Sequence, residues 1–350
     1  MKKELVNLLI SKNKILFTGV LLIGLLTVLK QDDVMPEDNS LSSGTSYFRG
    51  NMVKFNNYEN ALNYAYVKNK RIPERDTTLN EKSFYFWDEI DYLNEEGYYP
   101  QGLCFTEDYV LVSLYSDKVD SLGVVKIFNK KTGEYLLSLG MDKSSHMGGI
   151  AYDGKNIWIC NSDKMQVERI EYSFMIEMIS ACKGEIVDVR NLVEVYPVKN
   201  KPSCITYYDG MVWVATHSIL KKSIVMAYHY NERENTITRV MIFNTPSKVQ
   251  GISFSETGEV YLSVSYGRRN SSYVQKYINV EMMSKNKDSY MEKIELPPCS
   301  EGIVIEDDKV YVLFESAGTK YLQGADGKGK SIAPLNRILV IENKKGPLYQ

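Results

Sequence analysis

The sequence predicts an all-β chain, a β-propeller of five four-stranded blades, and three observations carry that prediction. The first is an internal repeat. Five segments begin alike: PQGLCFTEDYVLVSLYS from Pro100, MGGIAYDGKNIWICNS from Met147, PSCITYYDGMVWVATHS from Pro202, VQGISFSETGEVYLSVS from Val249 and SEGIVIEDDKVYVLFES from Ser300. In each, a small residue precedes an apolar one (Gly102 and Leu103, Gly149 and Ile150, Cys204 and Ile205, Gly251 and Ile252, Gly302 and Ile303). A polar turn follows, then a second strand ending on Ser116, Ser162, Ser218, Ser265 or Ser316, offset from the apolar residue by 13, 12, 13, 13 and 13. The second observation is spacing: the apolar positions lie 47, 55, 47 and 51 residues apart, room for four short antiparallel strands per unit. The third is composition: 26 Tyr stand against 11 Phe, and tyrosine favours a pleated, half-buried surface.

The elements follow in order. Residues 1–14 read as a cytoplasmic tail carrying Lys2, Lys3, Lys12 and Lys14. Residues 15–29 (ILFTGVLLIGLLTVL) are an uncharged apolar run, followed by Lys30, Asp32 and Asp33. That charge asymmetry predicts an N-terminal transmembrane signal anchor with the C-terminal domain extracytoplasmic, a single-pass protein of the cell membrane. The run spans about 22 Å at 1.5 Å per residue, short of the roughly 30 Å hydrocarbon core, and Lys14 and Lys30 can snorkel to cover the difference. A cleaved signal peptide is the alternative, but the run ends in Thr27, Val28, Leu29 and Lys30 without small residues for a cut.

Residues 30–82 read as a polar stalk with a short helix near 56–70, where Tyr58, Leu62 and Tyr66 share one face. The propeller is expected over 83–345, with 346–350 a tail. In the first unit Gly123–Asn129 and Glu134–Gly140 supply the third and fourth strands. The second unit is longer, and its SFMIEMISAC segment places Phe174, Met178 and Ile179 on a helical face. The last unit reaches a third strand, Arg337–Glu342, without a fourth of its own. Residues 84–92 are therefore expected to pair with it and close the ring, removing exposed edges. A sixth blade assembled from 48–98 is the alternative count.

The repeated small-apolar strand opening resembles that of the NHL, YncE and strictosidine-synthase-like propellers over roughly residues 84–345. The resemblance implies a propeller, not an activity. In such a blade the fourth-to-first and second-to-third loops emerge on one face. Gln101, Gly148, Ser203, Gln250 and Glu301 are thereby expected to ring the channel mouth with His146 close behind. Asp117, Asp163, His217, Arg268, Arg269 and Glu315 are expected further out. Any small-molecule site belongs on that face. Related metal-dependent hydrolases hold a divalent cation at such a mouth, and Glu301 is the residue placed to ligate calcium. Calcium takes six to eight oxygens, however, and this ring has one inner carboxylate. A glycosidase would need two carboxylates about 5 to 9.5 Å apart.

Other chemistry is excluded by pattern. With 42 basic and 44 acidic residues the chain has no overall basic excess for nucleic acid. Cys104, Cys160, Cys182, Cys204 and Cys299 form no C-x-x-C pair and read as buried thiols rather than a disulfide. Gly324 to Ser331 matches a phosphate-binding loop, but Pro334 and a strand follow where a helix is required. No spacing joins His146, His217 and His229 into a zinc site, and Trp158 and Trp213 recur at equivalent second-strand positions, which marks core. The function expected is a binding or interaction module acting through the top-face loops on a protein or saccharide ligand. No cofactor is required, and the alternative is a lactonase- or esterase-like hydrolase, or a glycosidase, at the channel mouth.

Overall fold

The computed structural model describes residues 82–87, 90–92, 95–142, 146–220 and 223–343. The anchor at 15–29, the stalk, the helix near 56–70 and the tail at 346–350 lie outside these residues. Among the described residues no helix is long and apolar enough to cross a membrane.

The chain forms five antiparallel blades. Ahead of them comes β1 (Lys82–Trp87). Blade one contains β2 (Tyr98–Phe105), β3 (Tyr109–Ser116), β4 (Gly123–Asn129) and β5 (Tyr135–Met141). Blade two contains β6 (Ile150–Tyr152), β7 (Asn156–Asn161) and β8 (Gln166–Glu171). Helix α1 (Tyr172–Ala181) and β9 (Ile186–Asp188) then precede its outer strand β10 (Glu194–Pro197). Blade three is β11 (Cys204–Tyr208), β12 (Met211–Ala215), β13 (Ser223–Asn231) and β14 (Thr236–Thr245). Blade four is β15 (Val249–Phe254), β16 (Val260–Val264) and β17 (Ser272–Tyr277), then α2 (Val280–Lys285) and β18 (Glu292–Leu296). The fifth runs β19 (Ser300–Glu306), β20 (Lys309–Phe314) and, after the short helix α3 (Thr319–Gln323), β21 (Ile338–Asn343). Its outermost strand is β1, antiparallel to β21 from Lys82 opposite Asn343 to Trp87 opposite Ile338.

The extra length of the second unit has a structural use. Strand β9 leaves its own blade and adds in parallel to β5, making blade one five-stranded. Helix α1 buries Met175 and lays Phe174, Met178 and Ile179 against the apolar layer between blades one and two. Five such layers exist, one between each neighbouring pair of blades, with Leu103 and Val112 meeting Leu313 and Ile338 between the fifth and the first. Trp158 and Trp213 are buried in this way, and each indole N–H is donated to the turn before its strand, at Asp153 Oδ2 (2.8 Å) and Tyr208 O (3.1 Å). Cys104, Cys160, Cys204 and Cys299 are buried and Cys182 half-buried, and all five are free thiols.

The small residue in each repeat answers to the inner strands. These converge on the axis, so a Cβ on Gly302 would stand 2.6 Å from the Leu103 amide nitrogen, and one on Gly102 2.8 Å from Gly149 Cα. Both atoms are backbone and cannot step aside. Gly302→Ala is therefore expected to lose about 3 kcal/mol of unfolding free energy through overpacking. Cys204→Ala, where a side chain already fits, is expected to lose about 1 kcal/mol. Chemical denaturation of the two variants checks the contrast.

Candidate functional site

The mouth of the channel is built from irregularities in the inner strands. The β2–β3 register jumps from Pro100 to Gly102, the β15–β16 register from Val249 to Gly251, and the β19–β20 register from Ser300 to Ile303. The residues left out of the ladders are Gln101, Gln250, and Glu301 with Gly302. A bulge leaves its residue free of the pleat and re-aims the side chain. Two of the three bulges are fed by a left-handed residue, Lys248 (φ +67°) and Cys299 (φ +67°), and Met147 (φ +52°) precedes Gly148 in the second blade.

Glu301 and Glu315 meet there. Gln250 Nε2 donates to Glu301 Oε1 at 3.2 Å, Gln101 Nε2 donates to Glu315 Oε2 at 3.0 Å, and the two carboxyl groups hydrogen-bond each other. Both glutamates are buried, at 3% and 9% exposure. Burial, then the neighbouring Glu315 charge, pushes the Glu301 carboxyl well above the usual range. Burial also raises Glu315, to about 7, although it accepts from Tyr321, Glu301 and Gln101 and faces Arg268. The negative charge therefore sits on Glu315, where the donors are, and Glu301 is the neutral acid. Glu315 thus lies beside Glu301 rather than further out on the loops, which corrects its expected place.

The register explains the correction. Glu315 immediately precedes the recurrent serine, as Tyr115 and His217 do, and turns inward. Asp117 and Asp163 follow the serine and are exposed. His217 is half-buried with Nδ1 3.2 Å from Val249 O, His146 stacks on Tyr115 at 4.5 Å, and Ser203 is half-buried. Of the expected residues, Gln101, Gln250, Glu301, Glu315 and Arg268 come together. His146 and Asp117 border the group, and Asp163, His217 and Ser203 stand apart from it.

The β20–β21 connection, residues 315–337, lies over this group. Buried Arg268 reaches it from blade four, donating to Asp326 Oδ2 (2.5 Å), to the Gly329 carbonyl and to Lys320 O (3.3 Å), with its guanidinium 4.4 Å from the Tyr321 ring. Lys320 Nζ sits over the rings of Tyr99, Tyr115 and Tyr321 at 4.2, 4.6 and 4.8 Å. Burial among those rings lowers its ammonium to about 8. Tyr99 in turn donates to Asp117 Oδ2 at 2.5 Å. This tyrosine–lysine group is missed by sequence reasoning, since Tyr99 and Tyr115 sit in strands where tyrosine is ordinary. The Gly324–Ser331 segment follows helix α3, with left-handed Gly324 ending that helix, and leads into β21, so no helix presents its N-terminus to a phosphate.

The channel itself is narrow. Its cavity volume is about 10 Å³, room for about one water, lined by the inner-strand residues Gly102, Gly149, Gly251 and Gly302 with Ile150 and Ile252. Small-molecule pockets run from roughly 300 to 1,000 Å³. Among the described residues no three His, Cys, Asp or Glu side chains are grouped to hold a metal ion. At Glu301 and Glu315 the glutamine amides present N–H groups where a cation would need oxygens.

No family model matches the chain, and no curated protein matches it. Among solved structures it is similar to Myxococcus xanthus glutaminyl cyclase, with 9% identity over 75% of this chain and 97% of that one, TM-score 0.42. It is similar to a chain of a nidogen–laminin complex at 12% identity over 62% and 73%, TM-score 0.39. A chain of Kuenenia stuttgartiensis hydrazine synthase shares 11% identity over 65% and 58%, TM-score 0.36.

The carboxyl pair makes stability depend on pH. An unfolded glutamate titrates near 4.5 and Glu315 in the fold near 7. Between those values the unfolded chain releases protons that the folded chain retains, so stability falls as pH rises from about 4.5 to about 7. Glu315→Gln is expected to make that slope shallower, leaving the part that burial of Glu301 contributes, in melting midpoints measured across the window. Arg268→Gln is expected to speed amide exchange at Tyr321 and Leu322 by about tenfold by freeing the overlying connection.

Proposed function

We propose that this chain is a membrane-tethered, extracytoplasmic binding module whose recognition surface is the loop-rich face around the channel mouth. The observation that carries this reading is the filling of the mouth by the protein's own side chains. Gln101, Gln250, Glu301 and Glu315 satisfy one another, and Tyr321 and Arg268 cover them. A ligand in this conformation meets the surrounding loops. The tether is the apolar run at 15–29. The resemblance to NHL, YncE and strictosidine-synthase-like propellers fits a binding or an enzymatic module alike.

A hydrolase is the second reading, and one observation favours it. A neutral carboxylic acid, Glu301, held against an ionised partner is the pairing that acid catalysis uses. Two features stand against it: both groups are buried, and carboxyls in hydrogen-bond contact are closer than the roughly 5 Å a glycosidase needs.

Thermal-shift measurements on the full chain with calcium, magnesium and envelope saccharides separate the readings. Saturation at about a hundred times Kd would add about 2.7 kcal/mol to stability. The binding-module reading expects no cation shift, and any saccharide shift to survive Glu301→Gln. A calcium shift lost in Glu301→Gln moves the assignment to a metal-dependent hydrolase.

A further inference from the structure

Lys320 occupies a place that suits a lysine poorly. Its Nζ lies 4.2, 4.6 and 4.8 Å from the ring centroids of Tyr99, Tyr115 and Tyr321. All three are inside the roughly 6 Å at which a ring face attracts a cation. The ammonium forms no ion pair among the described residues, and the Tyr115 hydroxyl is its one hydrogen-bond acceptor there. A lysine ammonium brings three N–H donors. Burial, ahead of the nearby Asp326 and Lys328 charges, pulls it down to about 8. A cation without N–H donors loses nothing to the shortage of acceptors, and rings grouped in this way are the standard receptor for one.

The rings do not depend on the lysine for their places. Tyr99 is buried and donates to Asp117 Oδ2 at 2.5 Å. Tyr115 meets Tyr99 at 5.1 Å and stacks on His146 at 4.5 Å. Tyr321 donates to Glu315 and lies against the Arg268 guanidinium at 4.4 Å. Two of the three phenols thus donate to carboxylates, which leaves their ring faces more negative toward a cation. The connection carrying Lys320 is also held elsewhere, by Ser331 N on Tyr321 O (2.7 Å), Leu335 N on Ser316 Oγ (2.9 Å) and Arg268 on Asp326. The lysine side chain can swing away while backbone and rings stay. Tyr115 and Lys320 are half-buried, so the group opens to solvent on their side.

We infer that Tyr99, Tyr115 and Tyr321 form a binding site for a quaternary ammonium group, and that the Lys320 side chain is its built-in occupant, displaced when such a ligand enters. The inference rests on the loop-rich face being the recognition surface and names the chemistry that this face would recognise. Displacement makes the native chain a weaker binder than its rings allow, because apparent affinity scales with the fraction of molecules whose site is vacant.

The test is isothermal titration of the full chain with choline, and with ethanolamine, which keeps the skeleton but carries a primary ammonium. Lys320→Ala is expected to bind choline about tenfold more tightly than the native chain, a gain that misfolding cannot produce. In that variant ethanolamine should bind about tenfold more weakly than choline. Adding Tyr115→Leu should weaken choline about tenfold, whereas Tyr115→Phe, which keeps the ring, should retain it. Failure of Lys320→Ala to bind choline overturns the inference. Equal affinity of native chain and Lys320→Ala overturns the displacement, and equal affinity for choline and ethanolamine overturns the quaternary assignment. The binding-module reading is judged separately by its cation and saccharide responses. A saccharide shift without choline binding therefore overturns this inference and leaves that reading standing.

Discussion

Everything in this fold depends on how closely five inner strands approach one another at the axis. Backbone meets backbone there: Gly102 against Gly149, Gly149 against Cys204 and Gly302 against Leu103. Close approach draws the apolar residue after each of these small residues, four glycines and Cys204, into the layer between blades. Ile150, Ile205, Ile252 and Ile303 are all nearly fully buried. Those layers give the ring its hydrophobic stabilisation.

The same convergence determines where polar groups can go. A strand that begins at the axis has no room for a side chain on the glycine, and the ladder slips beside it at Gln101, Gln250 and Glu301. Three long polar side chains are thereby gathered at one end of a narrow passage. A carboxylate there would be an uncompensated buried charge, costly without a partner. The fold resolves this with amide donors, with a proton held between Glu301 and Glu315, and with Arg268 and Tyr321 brought over the pair. The polar mouth is a by-product of packing that became a defined network.

The five units and their first two strands are legible in the sequence because the close approach leaves a mark, one small residue at a fixed distance from one serine. The serines recur since each ends a strand by holding its loop, as Ser316 Oγ accepts from Leu335 N (2.9 Å) and Ser265 Oγ from Ser272 Oγ (2.8 Å). The outer strands are less legible. β9 crosses to blade one, a choice that three residues of ordinary strand character do not announce. The site is partly legible: Gln101, Gln250 and Glu301 follow from the repeat, but the inward turn of Glu315 depends on register relative to Ser316. The clustering of Tyr99, Tyr115, Lys320 and Tyr321 depends on a long connection folding back.

The pairing of β1 with β21 sets a timetable for biosynthesis. Lys82 leaves the ribosome early and its partner Asn343 late, with all five inner strands made between them. Through that interval β1 is an unpaired edge with Phe84, Phe86 and Trp87 on it, the kind of segment that recruits a foreign strand. Blades one to four can assemble as their residues appear, whereas the fifth must wait for a contact of very high sequence separation. A chain stalled or cut before β21 keeps four blades and a loose N-terminal strand, so quality control of this protein has one natural checkpoint, the last pairing to form.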